Sequence, residues 1–324
     1  MRGRLNMFRG YRIIDSHSHF AVEDTNSILP FHTGMIDKET EDKLAEFQVE
    51  DKGEKSRAQI QWQEAWGFGK AAPTGLNDKE LADKWIKELD KYGIEKIVWV
   101  TGGGNERLAK IVNYYPDRFI GYAHNNPFEI NAPDKLESAL KSGLSGYKLL
   151  APLLSDSIAS RKLDPVWEVA SNYKIPVLIH FGILGAGGGL AGGENMSPLS
   201  LEPVASRFPD VKFIIPHLGC GYPKELLHLG WVCENIYVDS SGSNQWMRWM
   251  PYELDLKISF QKFYETFGPE RIIFGTDSSW FPRGFSVDYL KEQFKIIRFL
   301  NWPRSEVELV FGGNITRIFS ESEV

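Results

Sequence analysis

Eight short apolar runs, most followed by a stretch with helical periodicity, predict an α/β fold: a distorted (β/α)8 TIM barrel with an insertion in its first βα loop. From the second run onward, consecutive starts lie about 25–35 residues apart, the repeat expected of βα units. The chain has 324 residues, which accommodates one barrel of ~250 residues plus insertions. Residues 1–324 therefore read as a single domain.

The expected strands are 12–16, 94–100, 119–123, 146–149, 176–180, 212–216, 236–239 and 272–275. Each is short and apolar, as a strand buried on both faces of a parallel barrel should be. Helices are expected over 78–92, 105–115, 134–142, 164–173, 199–208, 224–233, 254–267 and 286–300. Most begin near an Asp, Asn or Ser, whose side chain can accept from a free amide of the first turn. The rhythm breaks between Phe20 and Asp78. Residues 39–63 are highly charged and read as helical, leading into Trp62, Trp66 and Phe68, then Pro73 and Gly75. The segment 24–74 is read as an insertion at the C-terminal face, where barrel active sites lie, serving as a lid or an oligomerisation element. A homo-oligomer is compatible with the sequence.

Composition narrows the partners. Apolar residues make up 42% of the chain, enough for a sizeable core, and the net charge is -6 with both signs dispersed. A nucleic-acid partner needs a basic surface, so none is expected. No apolar run approaches the ~20 residues that span a bilayer, so no membrane partner is expected. No secretory leader is evident, and Cys220 and Cys233 are the only cysteines. That usage suits a reducing compartment, and the expected location is cytoplasmic.

Chemistry collects at the strand ends. In Ile13-Ile14-Asp15-Ser16-His17-Ser18-His19-Phe20, two histidines stand two apart at the end of the first strand. Residues i and i+2 of a strand share a face, so His17 and His19 aim two imidazoles at one place. The fourth strand carries Lys148, the fifth ends in His180, the sixth in His217 and the eighth in Asp277. Four of seven histidines thus fall at one edge of the predicted barrel. A packed core histidine explains one such residue, not four with an aspartate. A shared metal site does.

With these strand ends, and with Gly312-Gly313-Asn314-Ile315-Thr316-Arg317-Ile318-Phe319 near the C-terminus, the chain resembles the amidohydrolase superfamily. The closer resemblance is to its amidohydrolase-2 branch, which includes amino-carboxymuconate-semialdehyde decarboxylase, and it runs from Ile14 to Phe319. It implies a barrel, a catalytic divalent metal, and either hydrolysis or non-oxidative decarboxylation. His17, His19 and His180 would supply nitrogen and Asp277 a carboxylate, a set that suits Zn²⁺ and is compatible with Mn²⁺. Such an ion brings the pKa of a bound water from 15.7 towards about 7. His217 is then free to act as general acid/base, and Asp277 can both bind the metal and accept a proton.

Lys148 bears on the number of ions. Carbamylated, it could bridge two, with His180 and His217 on the second. One ion with a free Lys148 that pairs a substrate carboxylate is the favoured reading. Trp280 and Arg283, on the eighth loop, are further substrate-binding candidates, with Trp246 and Arg248 on the seventh beside them. The glycine-rich stretch 185–193 lacks the Lys-Ser/Thr of a phosphate loop and reads as an active-site loop. Gly102-Gly103-Gly104-Asn105 reads as a tight turn with Asn105 as helix cap. His124 ends the third strand and can face the pocket, while His32 and His228 have no assigned role.

The expected activity is hydrolysis of a small amide, ester or lactone, with a carboxylate-bearing substrate. Decarboxylation of an aromatic or unsaturated acid is the alternative, and a barrel that binds metal and ligand without turnover is the third.

Overall fold

Eight parallel strands run in chain order around a barrel: β1 (Ile14–His19), β2 (Lys96–Thr101), β3 (Phe119–Gly121), β4 (Tyr147–Leu150), β5 (Val177–His180), β6 (Phe213–Ile215), β7 (Ile236–Asp239) and β8 (Ile272–Ile273). The computed structural model describes residues 7–22, 60, 61, 65, 74–184 and 193–322. Hydrogen-bonded ladders join β1 to β3 and β4 to β8. Single parallel bridges, Ala123 with Tyr147 and Ser18 with Ser278, close the two remaining seams. The 24–74 insertion with Trp62 and Trp66 lies outside the described residues, apart from residues 60, 61, 65 and 74. His32 and residues 185–192 lie outside them too.

The expected helices appear as α1 (Asp78–Tyr92), α2 (Asn105–Tyr114), α3 (Ala132–Lys141), α4 (Asp164–Asn172), α5 (Glu202–Arg207), α6 (Pro223–Val232), α7 (Leu256–Phe267) and α8 (Val287–Phe299). Helix α1 shows how sequence sets such bounds. The Asn77 side chain accepts from Glu80 N while the Glu80 side chain returns to Asn77 N, a reciprocal cap. Leu81, Ala82, Trp85 and Leu89 form its buried face, and Gly93 ends it at φ 70. The helix expected over 199–208 divides into a 3₁₀ turn, Pro198–Leu201, and α5. Pro203 sits in the first turn of α5, where a missing N–H costs nothing, and so favours a fresh start there. Among the described residues, no helix is long and apolar enough to cross a membrane.

Apolar side chains separate into two layers. The outer layer, including Trp85, Trp99, Trp167 and Phe213, packs strands against helices. The inner one fills the barrel with Ile14, Val98, Val100, Tyr122, Leu178, Ile214, Tyr237 and Ile273. Its floor is α10 (Asn314–Ser320), which follows α9 (Arg304–Glu308) and contributes Ile315 and Ile318. This gives physical sense to the C-terminal motif. A Cβ on Gly312 would stand 3.0 Å from the Arg12 carbonyl oxygen, so only glycine lets this segment approach β1 so closely. Asn314, fully buried, donates Nδ2–H to the carbonyls of Pro269 (2.7 Å) and Ile272 (2.8 Å), tying the floor to β8. Side chains below the site are thus fixed, and the polar ones gather at the opposite rim.

Candidate metal centre

The rim is built around the seam between β1 and β8. The pairing of β1 with β2 shifts register between Asp15 and Ser18 and again before His19, which bends this strand at its rim. Across the seam, His19 N donates to Ser278 O at 2.7 Å and Asp277 N donates to His17 O at 2.8 Å. Asp15, fully buried, accepts from Thr276 N (2.9 Å), Ser18 Oγ (2.9 Å), His17 N (3.2 Å) and the Thr276 hydroxyl. One carboxylate thereby buckles β1 to the chain just past β8.

His17, His19 and Asp277 are brought together, with one potential ligand atom from each lying within 4.8 Å of the others. His19 Nε2 is 3.1 Å from Asp277 Oδ1, and His17 Nε2 is 3.9 Å from the same oxygen. The far nitrogens are engaged elsewhere: His19 Nδ1 with Thr101 Oγ1 at 2.6 Å, His17 Nδ1 with Asp239 Oδ2 at 2.7 Å. His17 Nε2 is buried and has no hydrogen-bond partner among the described residues. Burial, with Lys148 adding to it, holds His17 well below the ordinary imidazole range, so the ring is neutral. Burial would raise Asp277, but the His19 bond and the His217, His19 and His17 rings together hold it well below the usual carboxylate range. Two imidazole nitrogens aimed at one ionised carboxylate, one of them a buried acceptor with nothing to accept, fit a divalent ion.

His217 stands beside this group, its ring centroid 4.9 Å from that of His17 and 5.0 Å from that of His180. Its Nδ1 meets Ser241 Oγ at 2.9 Å and Ser241 O at 3.2 Å. A carbonyl only accepts, so Nδ1 carries the proton and Nε2 the lone pair. Burial lowers His217 to about 4. The backbone around it is strained: His217, Leu218 and Cys220 have φ of 57, 50 and 40, and Asp277 has 57. Such conformations are unfavourable for residues with a Cβ and persist where the surroundings enforce them, often at working sites. Trp246 Nε1 donates to His217 O at 2.9 Å and helps hold that turn.

His180 is not part of the compact trio. Its Nε2 faces the Ile183 carbonyl at 3.1 Å, which leaves Nδ1 as the nitrogen with a lone pair. Lys148, the second residue of β4, is 1% exposed and lies level with Leu178, two residues below the His180 rim. Burial lowers its ammonium to about 7, against the upward pull of Asp239 and Asp277.

The weaker candidates divide. Arg283 Nη1 donates to Asp277 O at 3.1 Å and so steadies the turn that presents Asp277. Trp280 is half-buried nearby, Trp246 is buried in a packing role, and Arg248 is exposed beside Trp249. His124 is buried, and its Nε2 accepts from Gly104 N at 3.1 Å, which occupies that amide of the glycine turn. Asn105 does not cap α2, since Gly104 holds that position, and instead its Oδ1 accepts from His124 N at 2.8 Å. His228 is exposed.

Sequence reasoning passed over Asp15, Asp239 and Ser241. Asp239 had a usable signal, because it ends the seventh strand at the same edge as the other site residues.

A family model described as Amidohydrolase matches residues 14–320. No curated protein matches the chain. Among solved structures, an uncharacterised TIM-barrel protein from Bordetella bronchiseptica is similar at TM-score 0.64 and 18% identity, over 96% of this chain and 99% of that one. A probable 2-pyrone-4,6-dicarboxylic acid hydrolase from Acinetobacter baumannii, with citric acid bound, is similar at TM-score 0.61 and 15% identity, over 95% and 99%. A 5-carboxyvanillate decarboxylase from Novosphingobium aromaticivorans, complexed with manganese and 4-hydroxy-3-methoxy-5-nitrobenzoic acid, is similar at TM-score 0.62 and 17% identity, over 96% and 97%. At these identities the likeness establishes the barrel fold.

Proposed function

Because this chain belongs to the amidohydrolase family, we propose that it is a metal-dependent hydrolase of a small, carboxylate-bearing amide, ester or lactone, working at the rim between β1 and β8. The observation that carries this reading is the convergence of His17, His19 and Asp277 with the unpartnered, buried His17 Nε2. A divalent ion held by these three, with His180 as a further ligand, would supply Lewis acidity that activates water at neutral pH and polarises an acyl oxygen. Zn²⁺ suits nitrogen-rich donors, and Mn²⁺ is compatible. One ion is favoured over two, since a single group of three ligands is drawn together among the described residues.

The chain's own groups divide the remaining work. His217 Nε2, deprotonated and fixed by the Ser241 contacts to Nδ1, takes a proton from the nucleophile and returns it to the leaving group. Lys148, buried on β4, pairs the substrate carboxylate. Arg283, through the Asp277 carbonyl, keeps the acidic ligand in its strained turn. The 24–74 segment, which follows β1 in the sequence, is assigned the lid or an oligomer contact. A cytoplasmic setting fits the two free thiols.

Decarboxylation of an aromatic or unsaturated acid is the second reading. It is favoured by the manganese-bound decarboxylase of similar fold and by a buried lysine that suits a carboxylate. Incubation with a panel of lactones, esters and aromatic acids, read for proton release and for CO₂ release, tests both. Proton release without CO₂ supports hydrolysis, CO₂ release overturns it in favour of the second reading, and neither, with metal bound, leaves a non-catalytic binding barrel.

A further inference from the structure

We propose that Asp239 is a positioning residue: it fixes the tautomer of His17 and so presents the Nε2 lone pair of His17 to the metal position. This rests on the ligand assignment above and adds a residue to it. Strand β7 places no residue in the ligand trio, yet its last side chain reaches past β8 to β1. Asp239 Oδ2 lies 2.7 Å from His17 Nδ1, and the two side chains are 0% and 1% exposed. The other oxygen, Oδ1, accepts from Ser241 N at 2.5 Å, so the carboxylate is pinned at both ends. A carboxylate accepts and does not donate, so His17 Nδ1 must carry the ring proton. A neutral imidazole has one N–H, and Nε2 is therefore the acceptor. That atom is the buried one without a partner among the described residues.

A second observation is the lack of a side chain where the Asp239–His17 contact passes β8. Gly275 lies between the two strands, just past β8. A Cβ there would stand 2.8 Å from Ser241 Cβ, 3.0 Å from His17 Cβ and 3.1 Å from Asp239 Oδ1. Any larger residue would push on both partners of the pair. The tightest of these contacts is with Ser241 and the next two are with the pair itself, so a side chain here would crowd Ser241, His17 and Asp239 together.

The test uses the whole protein. The tautomer of His17 is read in the metal-free wild type from long-range ¹H–¹⁵N spectra of the histidine rings, with the His17 signals identified by loss in His17→Gln. Zn²⁺ affinity is read separately by chelator competition. The wild type is expected to hold Nδ1–H on His17. Asp239→Asn offers an amide N–H to Nδ1, which should move the ring proton to Nε2 and weaken Zn²⁺ binding about 10–100-fold. Gly275→Ala should lower Zn²⁺ affinity in the same direction. Wild-type His17 found as the Nε2–H tautomer overturns the proposal. So does Asp239→Asn with an unchanged tautomer and Zn²⁺ affinity within about twofold of wild type. If Asp239→Asn does not fold, the wild-type spectrum and Gly275→Ala decide. A wild type that shows Nδ1–H but binds no divalent ion overturns the ligand assignment and leaves the Asp239–His17 pairing supported.

Discussion

Asp15→Ala should cost the fold about 3 kcal/mol and open the seam that carries the site. In the wild type this carboxylate accepts four hydrogen bonds, from Thr276 N, Thr276 Oγ1, Ser18 Oγ and His17 N. After truncation Thr276 Oγ1 keeps Ser278 Oγ, 2.5 Å away, and His17 N loses only a long contact of 3.2 Å. Thr276 N and Ser18 Oγ are then left as buried donors without an acceptor, at roughly 1–3 kcal/mol each. Part of that loss is offset, because burial of the wild-type carboxyl, which pushes it up to about 7, no longer opposes folding. A net of about 3 kcal/mol corresponds to a fall in Tm of roughly 5–10 °C for a large domain. The assay is thermal unfolding of wild type and Asp15→Ala in excess chelator, so that metal loss does not contribute, followed by Zn²⁺ retention of the folded variant. Since His17, His19 and Asp277 all lie on this seam, retention should fall as well. A variant with Tm within about 1 °C of wild type would refute the idea that Asp15 buckles β1 to β8.

Three further outcomes are expected. His217→Asn should keep metal content near normal and lower turnover by roughly 10²–10⁴-fold, and metal loss alongside would make His217 a ligand instead. Lys148→Met should raise KM for carboxylate substrates by roughly 10–100-fold, the size of one charge-assisted hydrogen bond, with little effect on an uncharged analogue. An unchanged KM would remove Lys148 from substrate binding. Gly230→Ala, in α6, places a Cβ 2.2 Å from Phe267 Cζ. Displacing that ring should outweigh the gain in helix propensity and lower stability by about 1–2 kcal/mol with activity retained, and a more stable variant would contradict it.

The barrel and the candidate site residues at its strand ends were legible because their signals are local. Period-two spacing put His17 and His19 on one side of a strand, and an apolar run that stops at a polar residue located His180, His217 and Asp277. Helix bounds followed from caps such as Asn77 and stops such as Gly93. Where two local signals competed, the reading slipped. Asn105 looked like a cap but serves His124, and the run 199–208 hides the break at Pro203.

The sequence by itself determined the (β/α)8 order and the rim residues of five strands, since each depends on neighbours within one strand or turn. The tertiary structure alone decided which of those residues meet. It joined His17, His19 and Asp277 across the β1–β8 seam, left His180 outside that trio with its ring beside that of His217, and turned Asp239 and Ser241 from strand-end polar residues into partners of His17 and His217. Those contacts span more than two hundred residues for His17 and Asp239. They exist only once the barrel closes, because closure sets the distances between rims and no spacing along the chain encodes them.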